Sequence, residues 1–482
     1  MKQCGNISTS GSGFPPLISW SSDAVFDSDS LVCEILSRVP VKSLMSCKCV
    51  CKSWQSIICK SPYFIDLHFS RSKSRTSLGN GGVGGDVSLL IEWVRYDWGG
   101  PRLLSAEIQL SEGGGGATVQ GEIPVPQCPE RRTVIVGILN GLFCLADNEA
   151  DCVCVYNPST RKSTPWIKSA IKQQHEDESE EIQVIDEDGD HVIHEVTYHN
   201  FNWYAFGYDP ATEEHKVVAF WQKKTKTWHG TRFDAVCEVL TICGREDKTN
   251  NSSSCRRFRE VSLPPKVDAQ ELSKPLYASG SIYWLYEDLL LKKEPFILQF
   301  NVRTEGFRMF SVPNFIVGEI LYPCRGHLIE VDGHLAVVGK KKVDMECQKN
   351  NNTSMKMCIL HVNHDQDRRM QNANTVTCMS RVACSTSTDY YWIEEAFLMP
   401  PPSDWTPIHP DAILSIPGTD WFIIKSFEKG DFCFYFYNWR TKYFSSTKTE
   451  VVGMASLFQD TTQFSSSFFV LRTYSESLLP VV

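Results

Sequence analysis

Apolar positions along this chain follow two rhythms, and the change from one to the other divides the sequence. From Asp27 to Val39 the run DSDSLVCEILSRV sets Leu31, Val32, Ile35, Leu36 and Val39 at the three-to-four-residue spacing of one helix face, and Asp27, Ser28 or Asp29 can cap its first N–H groups. Pro40 stops that helix, since its ring disfavours helical geometry in the residue before it. The next run, VKSLMSCKCVCKSWQSIICK, puts Leu44, Cys47, Val50, Trp54, Ile57 and Ile58 on an apolar stripe, with Lys42, Lys48, Lys52 and Gln55 on the wetter side. Ser61-Pro62 then restarts the chain as a short helix carrying Phe64 and Leu67. Three helices are predicted within 23–70, a size near the lower limit for a domain that folds alone.

Beyond Arg75 the helical period is lost. Gly tracts at GNGGVGG and EGGGGA flank strand-like runs such as VSLLIEWV and RLLSAEIQL, and aromatic or β-branched runs separated by turns follow. One element recurs: an apolar or aromatic residue, Asn or Asp, two spacers and Thr, in YNPST from Tyr156, YDPAT from Tyr208, FNVRT from Phe300 and YNWRT from Tyr437. Asn or Asp there can bond the backbone two residues on, so each copy reads as a strand running into a turn. The anchors Asn157, Asp209, Asn301 and Asn438 are 52, 92 and 137 residues apart, close to one, two and three units of about 46 residues. Units of that size, with four strands each, build propeller blades. Unmarked blades are expected around EVLTICGREDKTNNSSSCRRFREVSL and around HLAVVGKKK, MKMCILHV and DYYWIEEAFLM. The fold class is therefore mainly β with a small N-terminal α-helical domain, the β part a propeller of about six to eight blades. Residues 1–22, rich in Ser, Gly and Pro, are expected to be a disordered leader, 71–85 a Gly-rich linker and 86–482 the β domain.

Charge narrows the partners. The chain carries a net −9, yet His175–His191 alone holds nine acidic and no basic side chains, and the remainder balances at 48 of each sign. Without a basic excess, nucleic acid is not an expected partner, and the acidic tract is expected to be a solvated insertion in a surface loop. Neither a signal segment nor an apolar run long enough to span a bilayer is evident, so the expected location is inside the cell, in cytoplasm or nucleus, without a membrane partner. Nineteen cysteines, an odd number, then read as reduced and mostly buried thiols.

The stretch Leu31–Leu67, LVCEILSRVPVKSLMSCKCVCKSWQSIICKSPYFIDL, resembles the F-box of plant proteins: L-x-x-E-I-L-S-R-L-P-V-K-S-L, then C-V-x-K-x-W, then P-x-F. Leu31, Glu34, Ile35, Leu36, Ser37, Arg38, Pro40, Val41, Lys42, Ser43, Leu44, Cys49, Val50, Lys52, Trp54, Pro62 and Phe64 meet it. Downstream, GILNGLFCLADNEADCVCVYNPSTRKSTPW, FGYDPATEEHKVVAFW and ASGSIYWL are similar to the F-box-associated domain of the same proteins, in the broad S-locus F-box group. The resemblance implies a substrate-recognition subunit of a ubiquitin ligase. Its F-box would dock a Skp-type adaptor, which joins a cullin and a RING subunit, while the β domain holds a protein target of unknown identity. It implies no catalytic residue and no cofactor. Adaptor contact would fall to Leu31, Ile35, Leu36, Pro40, Val41, Leu44, Cys49, Val50 and Trp54. Where the family has a Leu-Pro pair this chain has Asp27-Ser28, which implies either a reduced adaptor affinity or that Phe26 replaces the missing anchor.

Other chemistry is weaker. Cys47, Cys49, Cys51 and Cys59 lack the paired C-x-x-C spacing of a structural zinc site, and Cys47, Cys51 and Cys59 are expected to fill the helical core. His191, His194, Glu195 and His199 miss the spacing of helical zinc proteases by one residue and lie on a segment that reads as strand. From another class, a propeller lectin or hydrolase with oligomerising helices would use Trp203, Trp221, Trp228 and Trp284 at its mouth, where packing between blades is the plainer role.

Overall fold

The computed structural model describes residues 28–76, 85–94, 102–110, 116–128, 133–171, 180–185, 191–227, 230–242, 257–264, 267–287, 294–313, 326–340, 355–362, 383–386, 390–397, 413–416, 419–428, 431–444, 449–452 and 468–481. The expected leader, Phe26 and residues 77–84 of the expected linker lie outside them.

Four helices come first: α1 (Ser28–Leu36), α2 (Val41–Cys47), α3 (Lys52–Lys60) and α4 (Pro62–Thr76). Three were expected. The second apolar run divides because Cys51 adopts an extended backbone and its Sγ accepts the Trp54 N–H at 3.4 Å, which starts a new helix there. The last helix is longer than the short one expected, and Ser61 Oγ caps it by accepting the Phe64 N–H at 3.3 Å.

The β domain forms six blades. The first comprises β1 (Gly85–Val94), β2 (Arg102–Leu110) and β3 (Gly116–Ile123), and the second β4 (Thr133–Leu139), β5 (Leu142–Asp147), β6 (Cys152–Asn157), β7 (Lys162–Ser163) and β8 (Ile167–Lys168). The third has β9 (Glu180–Ile185), β10 (His191–Asp209), β11 (Glu214–Thr227), β12 (Gly230–Ile242) and β13 (Arg259–Val261). In the fourth are β14 (Leu276–Ala278), β15 (Ser281–Tyr286), β16 (Phe296–Asn301) and β17 (Phe307–Ser311). The fifth holds β18 (His327–Val331), β19 (His334–Lys340), β20 (Met355–Val362), β21 (Ala383–Thr386) and β22 (Tyr390–Phe397). The sixth holds β23 (Ile413–Ser415), β24 (Trp421–Glu428), β25 (Asp431–Asn438), β26 (Tyr443–Phe444) and β27 (Thr449–Val452).

Strands β4, β10, β14, β18 and β23 lie side by side in that order around the centre. The ring closes through β28 (Phe468–Thr473), which pairs antiparallel with β1, so one blade is built from strands far apart in the chain. Parallel pairing of β27 with β3 joins the sixth blade to the first.

Cores lie between blades. On β5 the residues Leu142, Cys144 and Ala146 face the third blade, with Phe206, Val217 and Trp221, whereas Phe143 and Leu145 face Leu90 and Leu103 of the first. A strand with both faces buried in this way has no wet side, and only a neighbour on each side can cover it. Gly207 shows how closely the blades approach, since a Cβ there would lie 2.7 Å from Val302 Cγ2.

The recurring turn has the expected chemistry. Asn157 Oδ1 accepts the N–H groups of Ser159 (2.9 Å) and Thr160 (3.2 Å), and Asn301 and Asn438 do the same for Arg303 and Thr304 and for Arg440 and Thr441. Asp209 accepts from the Ala211 N–H at 3.0 Å and the Thr212 hydroxyl at 2.8 Å. Each turn then passes through a left-handed residue: Arg161, Glu213, Glu305 or Lys442.

The spacing of the turns does not count blades, however. Asn157, Asn301 and Asn438 follow the third strand of their blades, whereas Asp209 follows the innermost strand β10. The 92 residues from Asp209 to Asn301 hold no extra blade: EVLTI belongs to β12 and REV to β13. HLAVVGK, MKMCILHV and YYWIEEAF are strands of one blade, the fifth. The acidic tract also departs from a plain loop, because Glu180–Ile185 is strand β9 paired to β10.

Two outcomes test this packing. Arg472 on β28 donates to Glu92 Oε2 at 3.1 Å and to the Ile135 carbonyl at 2.8 Å, and Glu92 is only 4% exposed. Arg472→Ala strips a buried carboxylate of that cation at a cost of about 3 kcal/mol, seen as a lower denaturant midpoint; an unchanged midpoint rejects the closure role. His215 is buried against Phe206 and Tyr208, and burial lowers its pKa from 6.5 to about 3. A lowered histidine favours the neutral form, so its contribution is full above about pH 6.5 and is lost as pH falls toward 3. The thermal midpoint of His215→Gln is therefore expected to fall less on acidification than that of the parent chain.

Candidate functional site

A helix turns about 100° per residue, so neighbouring apolar positions on α1 face different surroundings. Leu36 and Cys33 point inward and are buried with Val41, Leu44, Ile57, Ile58, Phe64 and Ile65. Leu31 and Ile35, one turn apart, point outward and are 54% and 56% exposed. Pro40, Cys49 and Val50 are also exposed, and Trp54 is half-buried against the helical core. The expected set of ten therefore separates. Leu36, Val41 and Leu44 are core residues rather than surface contacts, because the four helices close one interior around these side chains. Leu31, Ile35, Pro40, Cys49 and Val50 present apolar surface, and Phe26 lies outside the described residues.

Two residues that hold this surface, Arg71 and His68, lie beyond the motif and outside the apolar pattern. Arg71, at the start of the expected linker, belongs to α4 and reaches back to α1. It donates to Glu34 Oε2 at 2.6 Å and to the Glu34 carbonyl at 2.9 Å, and it also bonds Ser37 Oγ. Arg38 takes the other Glu34 oxygen at 2.7 Å, and the hydrogen bonds from Arg38 and Arg71 hold the Glu34 carboxyl below its usual range. His68 Nε2 donates to the Val39 carbonyl at 3.0 Å, pinning the α1–α2 connection to α4. Helical periodicity picks out apolar faces and is silent about such polar clamps. A basic residue one or two turns past the last apolar position is the only local signal.

The core-filling role expected for the cysteines holds only in part. Cys47 is half-buried, but Cys51 and Cys59 are exposed. Among the described residues no group of three or more His, Cys, Asp or Glu side chains could hold a metal ion. His191, His194, Glu195 and His199 lie on β10, and their side chains are outside the described set. Of the aromatic candidates, Trp221 and Trp284 are fully buried between blades and are packing residues; the side chain of Trp203 and the whole of Trp228 are outside the described set. No described helix is long and apolar enough to cross a membrane.

A small helical unit with an exposed apolar ridge, joined to a closed propeller, defines a bipartite protein of the F-box class. Residues 28–66 match the F-box domain and residues 117–472 the F-box associated beta propeller domain, and the chain belongs to that family. The F-box protein At4g19940 of Arabidopsis thaliana is 25% identical over 320 residues, covering 66% of each chain. The F-box/LRR-repeat protein At2g43260 of the same plant is 26% identical over 288 residues, 58% of this chain and 54% of its own. The chain thus spans less than two thirds of the length of either relative. Hydrazine synthase of Kuenenia stuttgartiensis aligns over 75% of this chain and 78% of its own at 10% identity, and its TM-score of 0.28 carries no weight.

Because Leu36 is 3% exposed in the helical core, Leu36→Ala is expected to destabilise that unit by about 2–5 kcal/mol. Faster hydrogen exchange across α1–α4, with the propeller amides unchanged, is the expected readout; unchanged exchange would mean that Leu36 is not a core residue.

Proposed function

We propose that the chain is the substrate-recognition subunit of a Skp-cullin-F-box ubiquitin ligase, acting in cytoplasm or nucleus. The helical unit docks a Skp-type adaptor, which carries the cullin and RING subunits. The propeller recruits a protein target still to be identified. The observation that carries this reading is the pair Leu31 and Ile35, more than half exposed on the helix whose opposite side is closed by its own core. Apolar surface kept open on so small a unit loses stabilisation that a second polypeptide can restore by covering it.

The activity needs no catalytic side chain here, since recruitment raises the target's effective concentration beside the transferred ubiquitin. Buried aromatics favour this over a glycan-binding or hydrolytic propeller, as Trp221 and Trp284 are spent on packing.

The full chain is expected to co-purify with a Skp-type adaptor at equal stoichiometry. Leu31→Asp combined with Ile35→Asp should weaken that complex by several kcal/mol, about a hundredfold or more in affinity, with circular dichroism and thermal midpoint preserved. Undiminished adaptor binding by the folded double variant would reject the proposal.

A further inference from the structure

After β28 closes the ring, the chain does not leave it. Tyr474–Val481 runs from the first blade across the second and into the helical unit, and contacts with both units hold it. The Tyr474 N–H donates to the Ser88 carbonyl at 3.2 Å, its ring meets Phe143 edge-on at 5.7 Å, and its hydroxyl pairs with Ser159 Oγ at 2.6 Å. Ser475 and Ser477 cross directly over Gly141, where a Cβ would lie 2.6 Å from the Ser475 carbonyl oxygen. Gly141 also has φ +76°, so no other residue type suits the position. Leu478 is buried in the core of the helical unit, Val481 is buried in the core between the second and third blades, and Leu479 packs against both.

Two side chains, Glu476 and Asn157, tie this crossing to the two units. Pro40 precedes α2 and offers no side-chain cap, and Glu476 Oε2 takes that place by accepting the Val41 N–H at 2.8 Å. At the propeller end, Asn157 uses both halves of its amide. Its Oδ1 builds the turn already described, while its Nδ2 donates to the carbonyls of Ser477 (3.0 Å) and Leu479 (2.9 Å). Asp209 shows that an aspartate can build such a turn, but it has no amide to donate.

From this we propose that Tyr474–Val481 is a rigid strut that fixes the bearing of the helical unit on the propeller, with Asn157 and Glu476 as positioning residues. The inference rests on the ligase reading for its consequence: a target held by the propeller is presented at one angle to the adaptor, which selects the lysines within reach of transfer. The strut itself is a statement about this chain alone, and it can be tested without the target.

Asn157→Asp keeps the turn and removes both donors to the strut, while Asn301→Asp makes the same chemical change at an equivalent turn with no strut. Spin labels carried by non-natural residues at the exposed positions Lys60 and Lys274 report the angle in the full chain. The parent chain and Asn301→Asp are expected to give one narrow distance, and Asn157→Asp to lose it, with faster exchange at the Val41 amide and adaptor co-purification retained. Should Asn157→Asp fold poorly, Glu476→Ala with Leu478→Ala frees the strut from the helical end and is expected to lose the narrow distance as well. A distance that stays narrow in both strut variants, or broadens equally in Asn301→Asp, overturns the proposal. Failure of the parent chain to bind adaptor would instead sink the ligase reading and leave the distance result standing.

Discussion

The central strands β5, β11, β15 and β19 are each apolar on both faces, and that constraint governs the rest. A sheet of this kind gains from burial only when another sheet lies on each side, and a row of such sheets always leaves two ends wet. Closing the row into a ring removes the ends, and β28 pairing with β1 performs the closure. The first blade is completed only when strands from far apart in the chain have met. The Arg472–Glu92 pair sits at this junction, and Arg472 also bonds β4, so the closing strand is tied to the next blade as well as to its own.

The helical unit lives under the opposite constraint. It is too small to bury all its apolar side chains, and its interior takes Leu36, Val41 and Leu44 while Leu31 and Ile35 stay outside. Polar clamps compensate: Arg71 and His68 on α4 tie down α1 and the start of α2. The helical core also borrows Leu478 from the far side of the ring closure. The residue that completes the helical core thus lies a few positions beyond the strand that closes the ring.

The same turn motif serves two purposes at different places. In the fourth blade the left-handed residue of the turn, Glu305, receives Lys216 at 2.8 Å and also binds Arg259, both from the third blade. Burial raises the pKa of its carboxyl, but the hydrogen bonds from Lys216 and Arg259 outweigh that and hold it below the usual range. In the second blade the turn anchors the strut through Asn157 instead. A local sequence pattern thus fixes a local shape, and what that shape touches depends on which blade carries it.

Sequence alone determined the elements whose causes are local. The helical period of Leu31–Leu67, the strand-and-turn texture beyond Arg75 and the Asn or Asp turns are all visible there, because capping, periodicity and turn chemistry act within a few residues. Tertiary structure decided the rest. Period cannot say which side of a short helix is covered, so Leu36 and Leu31 look alike until α2–α4 are in place. Spacing cannot say which strand of a blade a turn follows, so Asp209 carries the same motif as Asn157 although β10 and β6 occupy different places in their sheets. Nor could any local pattern bring Glu476 to the Val41 N–H, 435 residues away in the chain. That contact exists only because the ring closes, and closure is a property of all six blades together.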